Sequence, residues 1–318
     1  MVSRRGVVLF TRDVSRQWIE WMKDANLNLL GIHPYFKKSV KFLDKTIEFV
    51  KSERGEQLLS LVKEAGIDVE YELHAISWLI PRKLFKKNPE WFRVNKMGKR
   101  TNDFNCCVSS NEALEIITRN SKKLAEVLVP STNRYFLWQD DGRSVFCNCD
   151  ECSGYSASDQ ALMMVHAALE GIKEVNSKGK ISYLAYNMTI EPPRKVKPEQ
   201  DVFLEFAPIS RKFNKSIGDE SNPANVNYSK KLKDLIRVFG KDDAHVLEYW
   251  LDDSLFSKYM EFRRVKLPFY PEVLEKDVKF YKSLGFDSIT SFAAFLDEKY
   301  VKKNGNPPIK EYGRILDA

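Results

Sequence analysis

Short apolar segments recur along the chain, and most of them are followed by a stretch in which apolar residues return at helical spacing. An apolar run of about five residues is typical of a buried strand, whereas apolar positions three and four residues apart predict an amphipathic helix. The pattern predicts helices after most strands, among them 15–25, 111–128 and 158–175. It predicts eight strands, at residues 6–10, 27–32, 69–73, 134–138, 181–186, 202–206, 245–251 and 288–292.

This alternation favours an α/β fold built as a single (β/α)₈ TIM-like barrel, forming one catalytic domain over residues 1–318. An open doubly wound sheet is the competing architecture, and it would carry a glycine-rich turn after its first strand. The first predicted strand ends at Phe10 and is followed by Thr-Arg-Asp-Val-Ser-Arg, which contains no glycine. Long insertions follow the third and sixth strands, at residues 76–107 and 208–227. In a barrel they would lie over the C-terminal mouth, where active sites of this fold are found.

The composition is that of a folded protein with a large core: 43% of the 318 residues are hydrophobic, and there are 20 Phe, 13 Tyr and 6 Trp. No run of 18 apolar residues occurs, and the apolar run at 6–10 is too short for a signal peptide. We therefore expect a soluble, cytoplasmic protein. The net charge of +7 is spread along the chain, without the basic stripe of a nucleic-acid binder. Neither a membrane nor a nucleic acid is expected as a partner, and the oligomeric state stays open.

Polar residues within the predicted strands are the candidates for function. Successive side chains of a strand point to opposite faces, and helices cover the outer face of a barrel. Around the seventh strand, Leu247 and Tyr249 suit the helix side. This assignment predicts that Glu248, Trp250 and Asp252 point into the barrel.

The same argument turns polar side chains of two other strands inward, namely Glu70, Glu72, His74 and Glu205. A further group lies at strand ends and is expected at the mouth: His33, Trp138, Asp140, Asp141, Tyr186 and Asn187. Carboxylates and aromatic rings that converge on one mouth suit a substrate with many hydroxyl groups, such as a sugar. Structural ion pairs with Arg12 or Arg211 are the alternative interpretation of the buried acids.

Three of the five cysteines lie in one short run, Cys147-Asn148-Cys149-Asp150-Glu151-Cys152. In a chain without a secretion signal this spacing indicates a metal site, and zinc is the commonest metal held by clustered thiolates. One disulfide within the loop and free thiols in a reducing compartment are the alternatives.

The segment from Trp138 to Asp159 carries Trp-Gln-Asp-Asp-Gly, then Cys-Asn-Cys-Asp-Glu-Cys, then Ser-Asp. It resembles a bacterial family of uncharacterised glycosidase-like barrels, in which an Asp-Gly turn precedes Cys-x-Cys-x-x-Cys and a Ser-Asp pair opens the next helix. The resemblance extends over roughly residues 70–295 and is most specific in the cysteine run. The family is similar in fold to family 20 hexosaminidases and α-glucuronidases, which implies a TIM-like barrel that acts on glycans.

The family pattern also implies a fourth metal ligand. Cys107 matches that position and would join Cys147, Cys149 and Cys152, with Cys106 as the alternative. The zinc would be structural, because protein atoms would fill all four positions. It would hold the loop that follows the fourth strand.

A glycoside hydrolase is the function that these residues and the resemblance predict. Such chemistry needs two carboxyl groups across the scissile bond, one of them protonated as the general acid. We expect Asp141 to be the acid, with Asp140 orienting it, and Glu248 or Glu205 to be the nucleophile or base. The expected substrate-binding residues are His33, His74, Trp138, Tyr186, Asn187, Trp250 and Asp252. No organic cofactor is expected, and the choice between retention and inversion stays open.

Two other functions are compatible with the sequence. One is a metal-dependent sugar isomerase or lyase, with His33, His74, Glu72 and Glu248 around a divalent ion. The other is a glycan-binding barrel without catalytic activity.

Overall fold

The computed structural model describes residues 1–35, 41–260 and 262–318. Eight parallel strands pair in chain order and close into a barrel, in which β1 also pairs with β8. The strands are β1 (Arg4–Phe10), β2 (Leu29–His33), β3 (Asp68–His74), β4 (Arg134–Trp138), β5 (Lys180–Ala185), β6 (Val202–Phe206), β7 (His245–Glu248) and β8 (Ser288–Phe292). The predicted (β/α)₈ barrel is confirmed, and β4, β6 and β8 have the predicted bounds.

Helices surround the barrel and also lie over its mouth. Those of the described residues are α1 (Arg16–Asp24), α2 (Lys41–Val50), α3 (Glu53–Glu64), α4 (Ile76–Leu79), α5 (Asn111–Ala125), α6 (Asp150–Ser153), α7 (Ala157–Lys173), α8 (Pro223–Phe239), α9 (Asp253–Phe256), α10 (Pro271–Ser283), α11 (Glu298–Asn304) and α12 (Ile309–Asp317). Within the described ranges, none of them combines the length and the apolar character that a membrane span needs.

Alternation along each strand separates the barrel interior from the helix layer. On β1, Val8 and Phe10 pack inside the barrel, whereas Val7 and Leu9 belong to the core that the helices cover. Full burial of such a side chain contributes roughly 1.5–3 kcal/mol, so both faces of the strand favour one register. The strand ends therefore present alternate side chains to the mouth.

Strand β7 differs from the prediction, because its other face points inward. His245 lies inside the barrel, where its ring nitrogens are 2.8 Å from the hydroxyl of Ser288 and 2.9 Å from that of Thr290. Two residues further on, Leu247 is also interior, so Glu248 faces the helix layer. The inward orientation predicted for Glu248 was wrong.

Trp250 also lies on the helix side, and its Nε1 donates to Asp277 of α10 at 3.1 Å. The inward orientation predicted for this residue was therefore wrong as well. The physical reason is a buried ion pair: Arg211 neutralises Glu248, so a charged residue is tolerated among the helices.

The segment between β3 and α5 lies over one side of the mouth. It contains α4, and two isolated antiparallel bridges stiffen it further on, Phe92 with Cys106 and Val94 with Arg100. Arg82 fixes the start of this segment to its end, since its guanidinium donates to the backbone oxygens of Ile76 and Phe104. This segment and the loop after β4 form the walls of the cavity described next.

Candidate active site

One large cavity of about 940 Å³ opens at the C-terminal ends of the strands. Side chains at or just beyond six of those ends line it, namely His33, His74, Trp138, Tyr186, Tyr249 and Phe292. Further lining residues come from the segment after β3, among them Ser77, Trp78, Arg82 and Phe104. The cavity therefore combines an aromatic surface with a few polar groups, as ligand sites commonly do.

Trp138 forms the floor of this cavity. Its ring centroid lies 5.6 Å from that of His33 and 5.1 Å from that of His74, and only 2% of the residue is exposed. Burial lowers the pKa of His33 to about 3, and the neighbouring His74 adds to this effect. The imidazole of His33 is therefore neutral at physiological pH, and it can exchange hydrogen bonds with hydroxyl groups.

The two aspartates after β4 have different surroundings. Asp140 is buried and accepts hydrogen bonds from the backbone N–H of Ser77 at 3.0 Å and from its hydroxyl at 2.7 Å. Its own N–H donates to Asn105 at 2.8 Å. Asp141 is exposed at the rim of the cavity, close to Tyr186. Asp140 is thus held by the segment after β3, while Asp141 faces the space that a substrate would occupy.

A third carboxyl group, Asp252, reaches the cavity from beyond the end of β7. Its Oδ1 accepts hydrogen bonds from the backbone N–H of Ser254 at 2.9 Å and from its hydroxyl at 2.5 Å, at the start of α9. The side chain is buried but lines the cavity, and burial raises its pKa to about 6. Tyr259 lies in the electrostatic field of both Asp252 and Asp141. The two carboxylates therefore border the same region of the cavity.

Tyr186 and Asn187 follow β5 and complete this side of the cavity. Burial raises the pKa of Tyr186, and the nearby Asp141 adds to the shift, so the phenol keeps its proton. Asn187 has a left-handed backbone with φ 45°, a conformation that Asn tolerates better than most residues. Both residues thus line the cavity, as predicted.

Four of the five cysteines form one group beside this cavity. The Sγ atoms of Cys107, Cys147, Cys149 and Cys152 all lie within 4.8 Å of one another. Cys107 is 3.6 Å from Cys149 and 3.8 Å from Cys152, and none of the five cysteines forms a disulfide. A tetrahedral ion with bonds of about 2.3 Å separates its sulfurs by about 3.8 Å. The group, which contains Cys107 and not Cys106, could therefore bind a metal.

The cysteine group joins the two walls of the cavity. Cys107 ends the segment after β3, whereas the other three belong to the loop after β4 and to α6. Val94 reinforces the junction, since its N–H lies 3.3 Å from the sulfur of Cys147 and its carbonyl accepts from the N–H of Asn148 at 2.8 Å. A bound metal would therefore fix Asp141 relative to the opposite wall.

With the barrel, the cavity and the cysteine group in place, the family can be assigned. A family model described as "Domain of unknown function (DUF4838)" matches residues 10–306. The chain belongs to this family. Among curated proteins, none matches the sequence.

Solved structures similar to this DUF4838 barrel include several glycosidases. A GH138 enzyme targeting pectin rhamnogalacturonan II has a TM-score of 0.57 at 11% identity, over 99% of this chain and 39% of its own. A β-galactosidase from the psychrophilic Marinomonas ef1 has a TM-score of 0.58 at 11% identity, over 99% and 59%. The protein ZgEngAGH5_4, solved with a cellotriose, has a TM-score of 0.53 at 11% identity, over 100% and 96%. The chain thus spans well under two thirds of the first two, and at this identity the likeness concerns the fold.

Three carboxyl groups of this DUF4838 barrel point inward as predicted but do not line the cavity. Glu205 lies beneath Trp138, whose Nε1 donates to its Oε2 at 2.7 Å. Glu72 lies in the same interior layer, and Glu70 lies lower, 3.6 Å from Arg134. The expected link to family 20 hexosaminidases and α-glucuronidases stays a prediction.

The metal-dependent alternative finds no support in the arrangement of its residues. Among the residues that the structure describes, the cysteine group is the one place where three or more potential metal ligands come together. His33 and His74 line the cavity, but Glu72 lies below its floor and Glu248 lies outside the barrel.

Tyr249 is the main cavity residue that the sequence argument missed. It was assigned to the helix side, yet it lines the cavity and its ring is parallel to that of Phe292, with centroids 5.9 Å apart. A signal was present in the same strand. His245 is a polar residue that points inward. Counting every second residue from it places Leu247 and Tyr249 inside the barrel as well.

Proposed function

We propose that this protein is a glycoside hydrolase that acts on a glycan or an oligosaccharide, with residues 1–318 as one catalytic domain in the cytoplasm. The observation that carries the proposal is that Asp141 and Asp252 both face one aromatic-lined cavity at the C-terminal mouth of the barrel. Cleavage of a glycosidic bond requires two carboxyl groups on either side of the scissile bond. The fold shared with known glycosidases supports the same conclusion.

In this proposal Asp141 is the general acid and Asp252 is the base or nucleophile. Asp141 stands at the exposed rim, where a leaving group would depart, and Asp140 next to it is held by Ser77. Asp252 takes the role expected from the sequence of Glu248 or Glu205, because neither of these glutamates lines the cavity. With a pKa of about 6, Asp252 is mainly ionised at neutral pH, as a base or nucleophile must be.

The aromatic rings and the polar side chains of the cavity would bind the sugar. The ring of Trp138 on the floor and the parallel rings of Tyr249 and Phe292 provide apolar surface for sugar faces. His33 and Asn187 offer hydrogen bonds to hydroxyl groups. Such a mixture suits a carbohydrate, whose rings are apolar on their faces and polar at their edges.

For the cysteine group we propose a structural zinc. The four sulfurs have the spacing of a tetrahedral site, and with four thiolate ligands no position is open for a substrate. Zinc would stabilise the two cavity walls and take no part in bond cleavage.

The proposed activity can be tested with purified protein and a panel of aryl glycosides and oligosaccharides. We expect turnover of at least one substrate, loss of all turnover in Asp252→Asn, and loss of oligosaccharide cleavage in Asp141→Asn. Asp234→Asn is a matched control, because Asp234 is an aspartate of α8 paired with Arg237 at the surface. Binding of oligosaccharides without any turnover would instead identify a glycan-binding barrel.

A further inference from the structure

The floor of the cavity depends on a hydrogen bond on its far side. The indole of Trp138 lines the cavity, while its single polar atom, Nε1, donates to Glu205 inside the barrel at 2.7 Å. Both residues are almost completely buried, with 2% and 0% of their surfaces exposed. A buried indole N–H without an acceptor is costly, because its desolvation is not compensated by a hydrogen bond. The orientation of the floor is thus tied to Glu205.

A second buried carboxyl group, that of Glu72, lies in the barrel interior near Glu205. Among the described residues, neither oxygen of Glu72 has a hydrogen-bond partner, and the same is true of Oε1 of Glu205. After burial itself, Glu205 is the strongest influence on the ionisation of Glu72. Gly31 of β2 has no side chain, and this leaves the space that the carboxyl group of Glu72 occupies. A Cβ atom at Gly31 would collide with Oε1 of Glu72.

No cation is dedicated to this pair within the described residues. Arg134 is the nearest guanidinium, and it lies 3.6 Å from Glu70. His245, on the β7 side, has both ring nitrogens occupied by hydroxyl groups. The groups whose charge acts on the pair are Glu70, Arg134 and Tyr249, while His33 and His74 pack against Trp138.

Two adjacent carboxylates in such a place cannot both stay ionised. Burial raises the pKa of Glu205 to about 8, and burial together with Glu205 raises that of Glu72 well above its usual range. Glu205 is therefore mainly protonated at neutral pH. This arrangement lets Oε2 of Glu205 accept from Trp138 without leaving a full unpaired charge in the barrel.

We propose that Glu205 is a positioning residue: its carboxyl group, with that of Glu72 nearby, holds the indole of Trp138 in place as a sugar platform. The pair acts through Trp138 and does not touch the substrate. The sugar platform rests on the function proposed above, whereas the anchoring of the indole does not.

The anchoring is tested by NMR of the full chain labelled with [¹⁵N]tryptophan. Six indole N–H signals are expected from six tryptophans, and Trp138→Phe identifies the one of interest. We expect this signal to move through a transition centred near pH 8, because Glu205 ionises there. Glu205→Gln, which keeps an acceptor oxygen, should abolish the transition while the indole stays protected from exchange. Glu205→Leu should expose the indole proton to exchange at least tenfold faster.

Glu70→Gln is the matched control, because Glu70 is a buried glutamate of the same interior that does not contact Trp138. This variant should keep the transition of the Trp138 signal. A wild-type indole signal without a transition, a transition that persists unchanged in Glu205→Gln, or an unchanged exchange rate in a folded Glu205→Leu would each overturn the proposal. Glu205→Gln retains the size and hydrogen bonding of the native residue, so the test stands even where Glu205→Leu fails to fold.

Kinetics then separate this proposal from the function itself. On a substrate that the wild-type protein cleaves, Glu205→Leu should raise KM about tenfold with a smaller change in kcat, and Glu205→Gln should restore KM. Equal KM values in all three proteins would overturn the platform. Absence of turnover in the wild-type protein would contradict the hydrolase, while the NMR result would still decide the anchoring.

Discussion

Arg211 and Glu248 form a fully buried ion pair on the outer face of β7, with Nε of the arginine 3.0 Å from Oε1 of the glutamate. Tyr281 of α10 donates its hydroxyl to the same carboxylate at 2.5 Å. Asp277 accepts from the other side of the guanidinium and from Nε1 of Trp250. The network thus joins β7, α10 and the segment after β6, and it lies on the opposite side of the strand from the cavity.

This position predicts that Glu248→Gln affects stability and not catalysis. The amide cannot neutralise Arg211, and a weakened buried pair costs roughly 1–3 kcal/mol. We expect a Tm several degrees lower by calorimetry, with kcat within about twofold of the wild type. Asp252→Asn should behave in the opposite way, with little change in Tm and a large loss of turnover. A large loss of kcat in a fully folded Glu248→Gln would contradict the assignment of Asp252.

The barrel could be predicted from the sequence because its signals are local. A strand that is buried on both faces appears in the sequence as a short, mainly apolar run, as in β4 and β6. The polar or strand-breaking residues around the run mark where the strand begins and ends. Which face points inward is a different matter. It depends on partners far apart in the sequence, and Arg211 lies 37 residues from Glu248. The rule that charged residues face the barrel axis therefore succeeded for Glu205 and failed for Glu248.

The candidate site shows the same division. His33, Trp138 and Asp141 were found because they follow strand ends, and strand ends of a parallel barrel meet at one mouth. Strand ends do not reveal how far each side chain lies below the surface of the cavity. Trp138 separates Glu205 from the cavity, and only the packed rings of β3 and β4 reveal that. Spacing in the sequence contains no information on such layering.

The role of Asp141 as the general acid predicts a dependence on the leaving group. Asp141→Asn should lower turnover by about 10²–10⁴-fold on substrates with a poor leaving group, because the departing oxygen is no longer protonated. Activated aryl glycosides need little protonation and should lose less than about tenfold. Steady-state kinetics on matched pairs of aryl glycosides check this. An equal loss on both kinds of substrate would contradict the role, and near-normal turnover with a lower Tm would make Asp141 a loop-stabilising residue.

The raised pKa of Asp252 predicts the acidic limb of the pH profile. Its ordinary value is 3.8, and burial raises it to about 6 in the folded protein. A base or nucleophile must be ionised, so on activated aryl substrates, which need little general acid, kcat/KM should fall about tenfold for each pH unit below 6 and level off above it. Asp141→Asn should keep this limb on aryl substrates, since it leaves Asp252 unchanged. A profile that stays flat down to pH 4.5 in a folded protein would contradict the assignment.

Removal of the metal provides the test of the cysteine group. If zinc joins the two cavity walls, dialysis against a chelator under reducing conditions should release about one equivalent and lower Tm by about 5–10 °C. Cys149→Ser removes one of the four ligands and should have a similar effect.

Cys106→Ser is the matched control, because Cys106 is also buried but lies outside the group, and this variant should keep its zinc. Under half an equivalent of zinc in the purified protein, with five titratable thiols, would contradict the metal. Loss of zinc without loss of Tm would show instead that the hydrogen bonds of Val94 with Cys147 and Asn148 hold the walls on their own.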